Sequence, residues 1–290
     1  MLCNGYRIVF GINPDPVHKL FYFCPIRPIM SKMHFYKYQG TGNDFIILDN
    51  RNWSYTALTV ERVKFLCDRR FGIGADGLML LNTRSGYDFE MKYYNSDGRE
   101  SSMCGNGGRC LVKFAYDLGI RKSEYNFLAI DGPHLAEIDV DGIVSLKMKD
   151  VREINEYHGD FILDTGSPHY VKMVTDVMDL DVFHKGMDIR YNSNFAKEGI
   201  NVNFVEQKRP DEIVVRTYER GVEDETLSCG TGVTASAIAC YHNEVGYNYV
   251  KVITKGGKLT VRFDRTGENM FENIWLCGPA VKVFEGSIEN

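Results

Sequence analysis

Met103-Cys104-Gly105-Asn106-Gly107-Gly108-Arg109 is the stretch from which the fold of this chain can be read. Small and polar residues give way to Cys110-Leu111-Val112-Lys113-Phe114-Ala115-Tyr116, where Leu111, Phe114 and Ala115 fall at i, i+3 and i+4. That spacing predicts a helix entered at Cys104 and closed by Gly119. The first N–H groups of a helix have no partner within it, and its dipole is positive there. Such an end favours an anion, so a cysteine placed on it is expected to have a lowered pKa. A lone Cys-Gly-x-Gly would be read more simply, as a glycine-rich turn with a small buried hydrophobe.

This one has a second copy. Ser228-Cys229-Gly230-Thr231-Gly232-Val233-Thr234-Ala235 leads into another apolar run, and Cys229 follows Cys104 by 125 positions. Gln39-Gly40-Thr41-Gly42-Asn43-Asp44 is echoed by Leu163-Asp164-Thr165-Gly166-Ser167-Pro168 at an offset of 124. Tyr94-Asn95 precedes the first thiol as Tyr218-Glu219 precedes the second. Three paired features in one order at nearly one offset point to a duplicated domain, each copy carrying a thiol on a helix N-terminus.

A chain of 290 residues accommodates two such copies, since domains commonly hold about 100–150 residues. Hydrophobic content of 44% and charged content of 25% are those of an ordinary globular protein. A net charge of −5 offers no attraction for nucleic acid or an anionic membrane, and no apolar run is long enough to span a bilayer. Eight cysteines, sparse and set in apolar or glycine-rich segments, fit a reducing cytoplasmic compartment. There is no Cys-x2-Cys pair and the seven histidines are scattered, so no metal site is expected.

Residues 1–32 differ from the rest. They hold Pro14, Pro16, Pro25 and Pro28, half of the prolines, and lack a signal-peptide pattern. The repeat begins only after Met33, so this segment is expected to be an appendage outside the fold, with Met30 or Met33 as alternative starts. Beyond it the pattern predicts strands at 34–38, 45–48, 78–81, 88–94, 127–130, 134–140 and 143–148, and in the second half near 161–164, 169–175, 202–206, 213–218, 249–254, 258–263 and 273–285. Thr59 to Arg70 reads as a helix capped by Thr59, and Asp179 to Met187 as a short one. Gly72-x-Gly74-x-x-Gly77 mimics a dinucleotide fingerprint, but it precedes a strand instead of following one, so nucleotide binding is rejected. Many short strands with one long helix per half make an α+β fold.

Two helix N-termini facing each other across a cleft would bind a small carboxylate between them. A thiol would then stand on each face of the adjacent carbon, which is what inversion by proton removal and return requires. The charge of the resulting carbanion would fall where the helix ends stabilise it.

The joint pattern Asn95-x-Asp97-Gly98-x5-Cys104-Gly105-Asn106-Gly107-x-Arg109, Tyr218-Glu219-Arg220-Gly221 and Cys229-Gly230-Thr231-Gly232, with Gly42-Asn43-Asp44-Phe45, closely resembles the diaminopimelate epimerases from about Met33 onward. The resemblance implies two pseudo-symmetric domains, each a mostly antiparallel sheet wrapped around a central helix. Their expected boundaries are 33–148 plus 275–290 and 149–274. It implies inversion of one α-carbon of L,L-2,6-diaminopimelate to the meso form, a step toward lysine and peptidoglycan precursors, without cofactor or metal. Cys104 and Cys229 would be the acid/base pair. Backbone at Gly105, Asn106, Gly230 and Thr231 would hold the reacting carboxylate, with Asn43 near the reacting amine. Asn95, Asn201, Glu219 and Arg220 would hold the distal amino-acid end. Ser167 also belongs to the expected binding set, and a homodimer is the expected assembly.

Three positions depart from the family pattern. Arg99 stands where Ser is usual, Ser167 where many members have Asn, and Gly77 where others carry Gln, removing a side-chain contact. Proline racemase-like enzymes share the two-thiol logic, but the polar Asn95 and Tyr218-Glu219-Arg220-Gly221 suit a second amino-acid head group that proline lacks. Phenazine-pathway isomerases share the duplicated fold without the facing thiols, and a redox protein with a regulatory disulfide is the non-enzymatic alternative. Cys3, Cys24, Cys67, Cys110, Cys240 and Cys277 are expected to be structural or incidental, His169 to shape the cleft or satisfy the core, and Arg109 to bridge to a helix-face carboxylate without touching substrate.

Overall fold

The computed structural model describes residues 6–8, 23–25 and 32–289. The chain forms two compact units, Met1–Phe35 with Glu285–Asn290, and Tyr36–Phe284. The expected appendage lies mostly outside the described residues; within them Tyr6–Ile8 pairs antiparallel with Phe23–Pro25. Everything that follows concerns the larger unit.

Its first hairpin is set by backbone chirality. Gly40 faces Asn43, and the two linking residues Thr41 and Gly42 both take positive φ, 51° and 86°. This is the turn whose twist matches paired strands. Asn43–Asp49 then runs parallel to Gly77–Asn82, which pairs antiparallel with Phe89–Asn95. That strand runs parallel to Glu124–Ala129, and Gly132–Ile138 and Val144–Lys147 follow antiparallel. From Asp160–Asp164 the same succession is repeated. Pro168–Met173 pairs antiparallel with it, Asn201–Arg209 is parallel, Glu212–Glu219 antiparallel and Gly246–Thr254 parallel, and Gly257–Gly267 and Met270–Gly278 complete it antiparallel. The duplication read from the sequence is reproduced step by step in the topology.

Each parallel step needs a crossover, and a helix supplies every one: α1 (Val60–Cys67), α2 (Gly105–Asp117), α3 (Val182–Arg190) and α4 (Gly230–Cys240). The central helices α2 and α4 are nearly engulfed by strands. α4 buries its hydroxyls because Thr234 donates to the carbonyl of Gly230 at 3.0 Å and Ser236 to that of Gly232 at 2.7 Å. Val144–Lys147 and Met270–Gly278, the last strands of the two runs, pair with each other. The two sheets therefore form one continuous hydrogen-bonded surface, and one apolar core spans both halves.

The elements differ from expectation in a few places. Thr59 does cap α1, accepting from the Arg62 N–H at 3.2 Å, but the helix stops at Cys67 because Asp68 is extended. The expected strand 273–285 is two strands, Met270–Gly278 and Val281–Glu289, separated at Pro279, which has no N–H for a ladder. Ile154–Tyr157 and Asp224–Thr226 are additional short strands.

Candidate active site

Cys104 and Cys229 are the N-caps of α2 and α4, both with extended backbone and neither using its side chain to cap. The first helical residues behind them are glycines, and these meet. A Cβ added to Gly230 would lie 3.6 Å from the Cα of Gly105, and one added to Gly105 would lie 3.8 Å from the Cα of Gly230. Both would also press on Leu276 Cδ2. The two helix N-termini thus abut at these glycines, each with its thiol beside the junction.

Asn106 ties the junction together. Its Nδ2 donates to the Ser228 carbonyl at 2.9 Å and faces Asn43 Oδ1 at 3.5 Å. Its Oδ1 accepts from Arg109 Nη2 at 3.0 Å and from the Thr41 hydroxyl at 3.4 Å. Arg109 is fully buried and also donates to Thr41 Oγ1 and the Gly105 carbonyl. No carboxylate pairs with it among the described residues. It is a permanent positive charge held beneath the first turn of α2. Asn43 spends its Nδ2 on Asp76 at 2.5 Å, so its Oδ1 is left to face the Cys104 thiol at 3.5 Å. Asp76 is itself paired with Arg69, and Arg69 and Lys37 both hold Asp44.

The second half builds a matching chain of contacts. Cys229 Sγ lies 3.5 Å from Thr231 Oγ1, which lies 3.2 Å from Ser167 Oγ. Ser167 accepts from Asn201 Nδ2 at 3.1 Å, and Asn201 Oδ1 accepts the Arg220 N–H at 2.9 Å. His169, fully buried, touches both Thr231 Oγ1 (2.9 Å) and Ser167 Oγ (3.0 Å) through Nε2. Asn203 Nδ2 donates to the Tyr170 carbonyl and faces His169 Nδ1, so Nδ1 is the acceptor and Nε2 carries the proton. Burial holds His169 neutral, its pKa lowered to about 3.

The thiols do not have the lowered pKa that a helix N-terminus alone implies. Burial raises Cys104 above its ordinary range and pushes Cys229 up to about 12. The negative charge of Glu219 adds to both, while N–H groups of Gly107 and Asn106 at Cys104, and Thr231 and the Gly232 N–H at Cys229, oppose it. Desolvation of a thiolate outweighs a few oriented dipoles here. Glu219, half-buried, is likewise raised, first by desolvation.

The structure therefore joins Asn43, Cys104, Gly105, Asn106, Ser167, Asn201, Cys229, Gly230 and Thr231 in one connected locus. Glu219 reaches it electrostatically at both thiols. Arg220 enters through its backbone, while its Nη1 donates to the carbonyls of Glu198 and Gly199, leaving other N–H donors of the guanidinium uncommitted. Asn95 ends its strand opposite Gly77 with an exposed side chain that is not bonded into the locus. Asp76, Asn203 and Thr41 were not singled out by the sequence reading. The i, i+2 spacing of Asn201 and Asn203 in an otherwise apolar strand was the available signal for one of them.

The model of the family described as diaminopimelate epimerase matches twice, over residues 35–153 and 161–283. The chain belongs to the diaminopimelate epimerase family. It is 51% identical over 257 residues to the diaminopimelate epimerase of Flavobacterium psychrophilum, covering 88% of this chain and all of that one. It is 43% identical to that of Chlorobaculum tepidum, covering 86% and 98%. Among solved structures, a Bacillus anthracis phenazine biosynthesis protein of the PhzF family superposes with a TM-score of 0.67 at 16% identity, covering 90% of this chain and 100% of that one. A hydroxyproline epimerase from Agrobacterium vitis does so with 0.61 at 13%, covering 89% and 92%. At such identities these two speak for the fold alone.

Proposed function

We propose that this chain inverts one α-carbon of L,L-2,6-diaminopimelate to give the meso isomer, using Cys104 and Cys229 as acid and base and no cofactor. The observation that carries this is the abutment of two thiol-capped helix N-termini at Gly105 and Gly230. A carboxylate seated on the first N–H groups of both helices would hold its α-carbon between the thiols. The thiolate on one face removes the α-proton and becomes a thiol; the bonding pair stays on carbon and delocalises into the carboxylate. The thiol on the other face delivers its proton to that pair and is left as thiolate. Helix N-termini and the buried Arg109 charge favour the developing anion. Asn43 Oδ1, which faces the Cys104 thiol and Asn106 Nδ2 at 3.5 Å each, lies on the reacting side and suits an ammonium donor. Asn95, Asn201, Ser167, Glu219 and Arg220 are assigned to substrate binding, the last by its uncommitted N–H groups toward the distal carboxylate.

The same reading keeps the domain division at 33–148 plus 275–290 and 149–274, one thiol in each. It also keeps a cytoplasmic homodimer supplying lysine and peptidoglycan precursors. Cys67, Cys104, Cys110, Cys229, Cys240 and Cys277 are free thiols, in keeping with a reducing compartment, and no helix among the described residues is long and apolar enough to cross a membrane. The test is incubation of the reduced protein with L,L-diaminopimelate and, separately, with L-proline. Appearance of the meso isomer is expected; racemisation of proline alone would overturn the substrate, and sedimentation of the same sample reads the assembly.

A further inference from the structure

The two halves of the duplication differ in chemistry at position 77. Leu78 pairs with Tyr94 as Val202 pairs with Tyr218, so Gly77 is the counterpart of Asn201. Asn201 supplies an amide to the locus. Gly77 supplies nothing, and no side chain would fit there. A Cβ would stand 2.6 Å from Tyr93 Cε2, 2.6 Å from the Tyr94 carbonyl oxygen and 2.9 Å from the Tyr93 hydroxyl. The space that a side chain at 77 would enter is filled by the phenol of Tyr93.

Tyr93 is 8% exposed and its ring stands edge-on to Phe45 at 6.1 Å between centroids. Its counterpart Thr217 satisfies itself, donating to Asn203 Oδ1 at 2.9 Å. The Tyr93 hydroxyl has no hydrogen-bond partner among the described residues, yet it is not sealed off from solvent. A hydroxyl open to solvent and without a protein partner is available to bond an incoming group. Burial comes first, then the charges of Cys104, Asp76, Cys67 and Glu219, in holding this phenol far above its ordinary range, so it remains an intact O–H. Burial keeps the Cys104 and Cys67 thiols uncharged at neutral pH and Arg69 pairs with Asp76, so the unpaired negative charge that reaches the phenol is that of Glu219, beside the acceptor oxygen of Asn43. Such a rim favours a cationic group, and a phenol oxygen accepts hydrogen bonds from one.

We infer that the Tyr93 hydroxyl is a substrate-binding group, accepting a hydrogen bond from the ammonium of the amino-acid end that faces Cys104. This rests on the function proposed above. It makes Tyr93 the group that supplies, from the neighbouring strand, the polar contact that Gly77 cannot.

Tyr93→Phe removes one oxygen and keeps the ring against Phe45. Wild type and variant are assayed side by side with L,L-diaminopimelate, together with their denaturant midpoints and the rate of Cys104 alkylation by iodoacetamide. The variant is expected to lose about 10- to 100-fold in kcat/KM, the worth of a hydrogen bond to a charged group, with midpoint and alkylation rate unchanged. An active wild type with an equally active variant overturns the assignment alone. A loss that comes with a lowered midpoint or a changed alkylation rate overturns it too, because the hydroxyl would then act through the protein. A wild type without turnover overturns the proposed function, and this assignment with it.

Discussion

The side-chain amide of Asn106 donates to the main-chain carbonyl of Ser228 across 2.9 Å, from the first copy of the duplication to the second. Removing it in Asn106→Ala leaves that carbonyl and the Arg109 guanidinium each short of a partner. Unfolding free energy is expected to fall by about 1–3 kcal/mol, with epimerisation reduced further than stability because the two thiols lose their common brace. Denaturation and steady-state kinetics check both, and wild-type values in both would refute the bracing role.

Cys104→Ala and Cys229→Ala are each expected to cut turnover by about 10²–10⁴-fold or more, since each thiol serves one face of the carbon. In heavy water, inverted product should carry solvent deuterium from the first turnovers, while early recovered substrate stays largely unlabelled. The reason is that a thiol bears one proton and internal return gives the substrate its own back. Mass spectra showing unlabelled product would sink the two-thiol mechanism.

Burial of Cys229 sets a pH dependence. With its pKa pushed up to about 12, its alkylation by iodoacetamide should be slow near pH 7 and climb roughly tenfold per pH unit past pH 9. A thiol raised in the folded state stabilises the fold fully below its unfolded pKa, and that contribution is lost as pH rises from about 9 toward 12. An alkylation curve already flat below pH 8 would contradict the burial effect.

His169 works in the opposite direction. Its pKa is depressed to about 3, so its contribution is present above the unfolded value of 6.5 and is lost as pH falls toward 3. Denaturant midpoints measured between pH 7 and pH 4 should fall more steeply in the wild type than in His169→Gln. Parallel curves would show that the imidazole is not held neutral.

Arg220→Ala is expected to weaken substrate binding by about 2–5 kcal/mol, and Arg220→Lys to recover little of it, since an ammonium cannot reproduce the planar fork. Ordinary KM in either variant would remove Arg220 from the distal carboxylate.

How far the sequence led is clearest at the helices. Two Cys-Gly-x-Gly entries, each followed by an apolar run, located α2 and α4 and their caps, because capping and periodicity are local. Pro279 was equally visible, yet the strand around it was read as unbroken. Ile154–Tyr157 escaped notice because Ile-Asn-Glu-Tyr shows no alternation; its partner strand, not its own pattern, makes it a strand. The thiol pKa was read with the wrong sign for a related reason. The dipole at a helix end belongs to the segment, whereas the desolvation that outweighs it comes from burial in the folded chain. The crowding of Gly77 by Tyr93 likewise depends on the neighbouring strand.

The contact of Gly105 with Gly230 has a consequence for how the duplicated halves can diverge. Elsewhere the copies have drifted apart, with tyrosine answering threonine at 93 and 217, and glycine answering asparagine at 77 and 201. At the junction both copies keep glycine, and the atom that a methyl group on either would meet most closely is Leu276 Cδ2, at 3.3 and 2.9 Å. A substitution at either glycine is therefore answered first by the Leu276 side chain, which bounds both positions at once. The two copies thus share one side chain as the limit on change where their helix N-termini meet.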